Sequence, residues 1–284
     1  MDNNDIEKIK AEYELTEEQY KEMYNKCRDI TFYKCEPQEH PVAVFVGGQT
    51  GAGKGGIDVY SKQELLKKGA HAAVLDVDVF RALHPHIDEI LAKHQKIYTN
   101  ITADVTRRIL RQMMQEAIDN KYDFIFEGTL RNTEPLETLK KMPDSYKKYI
   151  RIMATSARES LLTAFERNYQ QIKVSGYGRF TNVETHNITY NGVLNTVKEA
   201  EKYGLDITFE IFKRGKDMVS PIKIFSTDES DKLASDELVK GREEDTKLFV
   251  EEREKRLQIL LDTLVPKDDY EKEQLAKLKQ EFAK

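Results

Sequence analysis

The chain has 284 residues, a formal net charge of −5, 33% charged residues and 39% hydrophobic residues. The acidic balance argues against general nucleic-acid binding, and no apolar run approaches the roughly 20 residues that span a bilayer. Two cysteines, Cys27 and Cys35, form no C-x-x-C pair, so neither a disulfide framework nor a zinc site is expected; with the polar, acidic start, a cytoplasmic location is the expectation.

Residues 3–34 read as one or two amphipathic helices, and Thr16-Glu-Glu-Gln19 has the form of a capping box. After a connector at 35–41, Val42 to Val46 is an apolar, β-rich run and predicts a buried strand. A glycine-rich turn follows, and then a helix ends near Gly69. The segment 71–78 predicts a second strand ending in Asp76 and Asp78. Ala103 to Asn120 is a periodic helix with Ile109, Met113 and Ala117 on one face. Strands are expected at 122–126 and 149–153. Capping boxes at Ser156–Glu159 and Thr181–Glu184 open two more helices. A fifth strand is expected at 207–212, and a sixth at 220–225 belongs at an edge because it contains Pro221. Beyond Ser230 the chain is charged and helix-forming, with an apolar stripe of Leu257, Leu260, Leu261 and Leu264. Alternating strands and helices predict an α/β fold: a parallel sheet covered by helices on both faces. It is read as a single domain with a core over 40–226, N-terminal helices within 1–34 and a helical extension over 227–284.

The chemistry concentrates at three predicted strand ends. The first strand runs into Gly48-Gln49-Thr50-Gly51-Ala52-Gly53-Lys54, a phosphate loop of the form G-x-x-x-x-G-K. Glycines let backbone N–H groups close around phosphates, the following helix aims its positive end at the same anion, and Lys54 adds a compact charge. Gly55 stands where a Ser or Thr normally ligates Mg²⁺. The second strand ends in Leu75-Asp-Val-Asp78, with Phe80 and His84-Pro85 beyond; the third ends in Phe126-Glu-Gly-Thr-Leu-Arg131. Ligands of open α/β sheets bind beyond such ends. Phosphoryl transfer to a hydroxyl requires a carboxylate base and cations on the migrating charge. Asp78 is the candidate base, with Asp76 orienting it or lying in the sheet. Arg167 and Arg179 are candidate cations, and the loop Ser175-Gly-Tyr-Gly-Arg-Phe180 has the composition of a lid. Arg167 is as readily a surface partner of Glu159 or Glu166.

These motifs, with Phe165-Glu-Arg167, Tyr169, Arg179 and His186 following in order, resemble the zeta toxins over roughly residues 40–215. The resemblance implies a P-loop kinase that transfers phosphate from ATP or GTP to the 3′-hydroxyl of UDP-N-acetylglucosamine, and a small helical antitoxin as partner. It implies that Lys54 holds the β- and γ-phosphates within the loop Gly48–Gly55. By the same resemblance Asp78 is the base, Glu127, Thr129 and Arg131 line the sugar-nucleotide site, and Arg167 and Arg179 stabilise the transferring group. Mg²⁺ is then held through the nucleotide and water. Arg111 stands where the family has an acidic sugar contact, which implies an altered choice of head group. A phosphotransferase on another hydroxyl, and a nucleotide-binding module weakened by Gly55, are the alternative readings.

Overall fold

The computed structural model describes all residues except 1, 2, 70, 177, 179–181, 216, 218, 219 and 284. Helices α1 (Asn3–Glu12) and α2 (Glu17–Thr31) precede strand β1 (Val42–Gly47). Next come α3 (Lys54–Lys67), β2 (Ala73–Asp76), α4 (Val77–Ala82), α5 (Ile87–His94), α6 (Tyr98–Ile101), α7 (Ala103–Asp119) and β3 (Phe124–Glu127). Then follow α8 (Glu134–Lys141), β4 (Lys147–Met153), α9 (Ala157–Ser175), α10 (Val183–Lys202), β5 (Thr208–Arg214) and β6 (Pro221–Ser226). The chain closes with α11 (Ala234–Lys247), α12 (Val250–Thr263) and α13 (Asp269–Ala283). The strands make a six-stranded sheet in the order β2-β3-β1-β4-β5-β6. β2 and β3 pair parallel, as do β4 and β5, while β6 joins β5 antiparallel at the edge that tolerates Pro221. All six residues of β1 are buried, as expected for an inner strand covered on both faces.

The chain divides into two compact units. One comprises Met1–Ala43, Lys62–Glu127 and Asp144–Lys147. In it the Thr16 capping box forms as expected: the Gln19 amide donates to Thr16 Oγ1 at 3.2 Å and the Thr16 amide to Gln19 Oε1 at 3.0 Å. Helix α2 lies along α7, where Tyr24 donates to Glu116 at 2.7 Å and the Arg108 guanidinium sits 3.7 Å from the Tyr20 ring centre. The face of α7 expected to be apolar is buried at Ile109, Met113 and Ala117. Buried Asp123 accepts the Val42 amide at 2.7 Å and so fixes where β1 begins.

The other unit comprises Val44–Ser61, Gly128–Pro143 and Lys148–Lys284. Arg151 and Glu210 are register partners on β4 and β5 and form a buried ion pair at 2.7 Å, completed by Ser61 and Lys223. The C-terminal helices pack on α9: Leu260, Leu275 and Leu278 join Leu161, Leu162, Phe165 and Val183 in one cluster, flanked by Leu257, Leu261 and Leu264. The stripe read from the sequence is therefore a packing face. Replacing fully buried Leu278 by Ala should cost about 2–4 kcal/mol of stability in a urea titration. A change below about 0.5 kcal/mol would show that α13 is not part of the cooperative fold.

Three boundary details differ from the sequence reading. The second strand stops at Asp76, and helix α4 begins at Val77. Ser156 is the N-cap of α9, but no capping box forms: its side chain makes no capping bond, its amide donates to Asp245 Oδ2 at 2.7 Å, and the Glu159 side chain lies in a cluster of arginines. Helix α10 is capped by Asn182, whose side chain accepts the Thr185 amide at 2.7 Å; Thr181 lies outside the described residues.

Candidate active site

Strand β1 delivers the chain into the loop Gly48–Gly53, and α3 starts at Lys54. The loop needs glycine for two separate reasons. Gly53 has φ +96°, a left-handed conformation that side chains disfavour. Gly51 has φ +79° and lies so close to α9 that an added Cβ would stand 1.9 Å from the Ser160 carbonyl oxygen. The loop thus leads into the N-terminus of α3, the kind of helix end whose first amides can take up an anion.

The outward-facing chemistry of the loop is fixed by what holds its carbonyls. Arg214, the last residue of β5, donates Nε to Ala52 O at 3.1 Å and Nη2 to Gly51 O. Thr155 Oγ1 donates to the same Ala52 oxygen at 2.8 Å. Lys54 Nζ lies 3.3 Å from Gln49 O. The buried Gln49 side chain donates to Thr155 O at 3.0 Å and Ser160 Oγ at 2.9 Å, and Ser160 in turn meets His186 Nε2 at 2.9 Å. With these carbonyls occupied, the backbone dipoles of the loop are oriented before any ligand arrives. Burial holds His186 below the ordinary histidine value, so it is a neutral member of this chain of hydrogen bonds.

Arg214 is itself held by Glu159, whose Oε1 accepts its Nη1 at 3.1 Å. Oε1 also accepts Arg256 Nη1 at 2.7 Å and Thr163 Oγ1 at 3.0 Å, while Oε2 accepts Arg253 Nε at 3.0 Å. Burial by itself would raise the Glu159 carboxyl, but the hydrogen bonds and charges of Arg256, Arg253 and Arg214 outweigh it and hold the group below the ordinary range. Sequence reasoning missed Arg214, Arg253 and Arg256. Arg214 lies two residues beyond the strand expected at 207–212 and is the last residue of the observed β5, so the sequence did not mark it as a strand-end cation.

The segment Gly128–Arg131 is pinned to the loop from the other side. The Gly48 amide donates to Thr129 O at 3.3 Å, and the Gly128 amide to Val46 O at 3.1 Å. Leu130 adopts φ +50° with its side chain buried against Gly47, which leaves no room for a Cβ there. Thr129 thus adjoins the phosphate loop, and Arg131 follows it with an exposed side chain. Arg167 lies on the exposed face of α9. Its alternative partners, Glu159 and Glu166, are both engaged by Arg256. Arg179 lies outside the described residues.

In the first unit, the acidic strand ends stand side by side. Asp76 on β2 and Glu127 on β3 are register partners. Asp76 lies in the sheet as the last residue of β2 and is also the N-cap of α4, its side chain accepting the Asp78 amide at 2.8 Å. Asp78 is therefore in the first turn of a helix, half exposed and paired with Arg81. Burial, followed by the charges of Glu127 and Asp78, raises the Asp76 carboxyl above its ordinary value. Beyond α4, His84 Nδ1 accepts the His86 amide at 3.2 Å. Arg111 is exposed on α7.

Residues 25–228 match the family model for zeta toxin. The chain belongs to the zeta toxin family. Toxin PezT of Streptococcus pneumoniae serotype 4 is 26% identical over 229 residues, spanning 79% of this chain and 88% of that protein. Toxin zeta of Streptococcus pyogenes is 23% identical over 227 residues, or 78% of this chain and 76% of its own. A solved chain of the PezAT chromosomal toxin–antitoxin system of S. pneumoniae superposes with a TM-score of 0.75 at 21% identity, covering 87% of this chain and 98% of that one. The complex of AvrRxo1-ORF1 and ORF2 with ATP gives 0.55 at 11% identity, over 78% and 70%. The fold is thus that of the P-loop kinase-like toxins, and among the described residues no helix is long and apolar enough to cross a membrane.

Burial pushes the His84 imidazole down to about 4, so the folded protein refuses a proton that the unfolded chain takes up near 6.5. Stability from this residue is complete above that value and declines as pH falls toward 4. Urea titrations of His84→Gln beside the wild type should show the difference between them shrinking through this window. A pH-independent difference would place the residue's effect in packing alone.

Proposed function

We propose that this chain is a kinase that transfers the γ-phosphate of ATP or GTP to the 3′-hydroxyl of UDP-N-acetylglucosamine or a closely related UDP-sugar. The observation that carries the reading is the pre-oriented phosphate loop, with its carbonyls tied down by Arg214 and Thr155 and the Thr129 segment fastened to its first residue. The acceptor is the one the resemblance to the zeta toxins implies, and membership of that family supports the choice.

In the reaction, the sugar hydroxyl oxygen forms a bond to the γ-phosphorus while the bond to the β–γ bridging oxygen breaks, releasing the nucleoside diphosphate. Lys54 and the amides at the start of α3 bind the β- and γ-phosphates and offset their charge. Asp78 takes the hydroxyl proton, and the capping bond from its amide to Asp76 fixes the turn that presents it. Glu127, Thr129 and Arg131 bind the sugar nucleotide, and Arg111 biases the choice of head group. Arg167 and Arg179 stabilise the transferring phosphoryl group. A small helical antitoxin is the proposed partner, in keeping with the toxin–antitoxin setting of the PezAT relative.

The loop fits a nucleotide whose metal is carried mainly by phosphate and water. Gly55 offers no hydroxyl, and among the described residues no cluster of three His, Cys, Asp or Glu gathers to hold an ion. Mg²⁺ retains several waters in such sites and supplies charge neutralisation on the phosphates. A side chain at Gly55 would meet nothing within 4 Å, so the position is vacant for reasons other than space.

Asp78→Asn should lower turnover by about two to four orders of magnitude while leaving nucleotide affinity in place. Mass spectrometry with Mg²⁺-ATP and a panel of UDP-sugars checks this, the wild type adding one phosphate to its preferred sugar. A variant that retains most of its rate would remove Asp78 from the role of base.

A further inference from the structure

Two arginines of helix α12 reach the back of the phosphate loop through a single carboxylate, although the family match ends at residue 228. Glu159 Oε1 is shared: Arg214 Nη1 approaches it at 3.1 Å and Arg256 Nη1 at 2.7 Å. Thr163 Oγ1 bridges the same two guanidiniums, at 3.3 Å from Arg214 and 3.2 Å from Arg256. The far end of Arg214 then grips the carbonyls of Gly51 and Ala52. Only one side chain and one carboxylate therefore separate α12 from the residues that shape the loop.

The burial of this cluster makes it directive. The side chains of Glu159, Arg214 and Arg253 are 2%, 5% and 5% exposed, so each charge depends on its neighbours for compensation. Arg214 faces the loop carbonyls of Gly51 and Ala52 on one side and the Glu159 carboxylate on the other. Its placement is the balance of those pulls. Arg256 sets the second pull, because it competes for Oε1 and is anchored independently by Glu166, with Nε at 3.0 Å from Glu166 Oε1. Arg253 holds the other carboxylate oxygen and closes the corner between α11 and α12 by donating to the carbonyls of Asp245 at 2.9 Å and Leu248 at 2.8 Å.

We propose that Arg256, with Arg253, is a positioning residue for nucleotide binding: through Glu159 it fixes Arg214 and hence the backbone orientation of Gly51 and Ala52. The C-terminal extension is then a working part of the nucleotide site. This rests on the reading of Gly48–Lys54 as the nucleotide loop.

The experiment is ATP affinity by isothermal titration calorimetry, in the presence of Mg²⁺, on full-length wild type, Arg256→Gln, Arg256→Lys and Leu278→Ala, each at a temperature well below its own melting point. Arg256→Gln should weaken ATP about tenfold, in the range seen when a residue that orients a ligand-binding group is removed. Arg256→Lys, which keeps the charge on the carboxylate, should recover most of that loss. Leu278→Ala loosens the packing of the extension without touching Glu159 and should bind like wild type. Equal affinity in wild type and Arg256→Gln would overturn the inference while leaving the nucleotide reading intact. A loss in Leu278→Ala as large as in Arg256→Gln would also overturn it, by reducing the effect to stability. Wild type that binds no ATP would instead overturn the nucleotide reading on which it rests.

Discussion

A phosphate loop binds through its backbone amides, and holding the carbonyls of the loop fixes the peptide planes that carry those amides. In this protein that constraint is met from behind. Arg214 and Thr155 take the carbonyls of Gly51 and Ala52, and Gln49 ties the loop to the first turn of α9 through Ser160. The closeness of that packing explains why Gly51 admits no side chain. Orientation achieved in advance spares the reorganisation that free loop dipoles would need on binding.

The same constraint accounts for the least typical feature of the interior, a carboxylate gathered among three arginines. Arg214 must be buried to reach the loop, and a buried guanidinium requires a counter-charge. Glu159 supplies it from the helix that already backs the loop. Arg253 and Arg256 then use the remaining lone pairs, and the cluster joins β5, α9 and α12. Within the other unit, acidic residues meet at neighbouring strand ends, with Asp76 serving the backbone of the helix that carries Asp78.

Much of this was legible in the sequence because it depends on local pattern. The apolar run of Val42–Val46, the glycine spacing up to Lys54, the Thr16 box and the period of α7 each follow from short-range rules, and each appears where it was read. Pro221 correctly marked an edge strand. The misreadings share a cause. Ser156-x-x-Glu159 has the letters of a capping box, yet the glutamate is engaged by partners distant in sequence. Asp76 and Asp78 alternate as strand residues do, but the Asp76 side chain caps a helix that starts one residue later. Long-range ion pairs of Arg214, Arg253 and Arg256 leave no periodic trace, so the support of the loop was invisible until the chain was folded.

The proposed reaction is attack of a sugar hydroxyl on a triphosphate held on this loop. It is tested most directly by phosphorus NMR of UDP-N-acetylglucosamine incubated with the protein and Mg²⁺-ATP. The account predicts a new phosphomonoester signal coupled to the proton on carbon 3 of the sugar, growing as ADP accumulates. ATP bound by the protein with no phosphomonoester formed on this or any related UDP-sugar would contradict it.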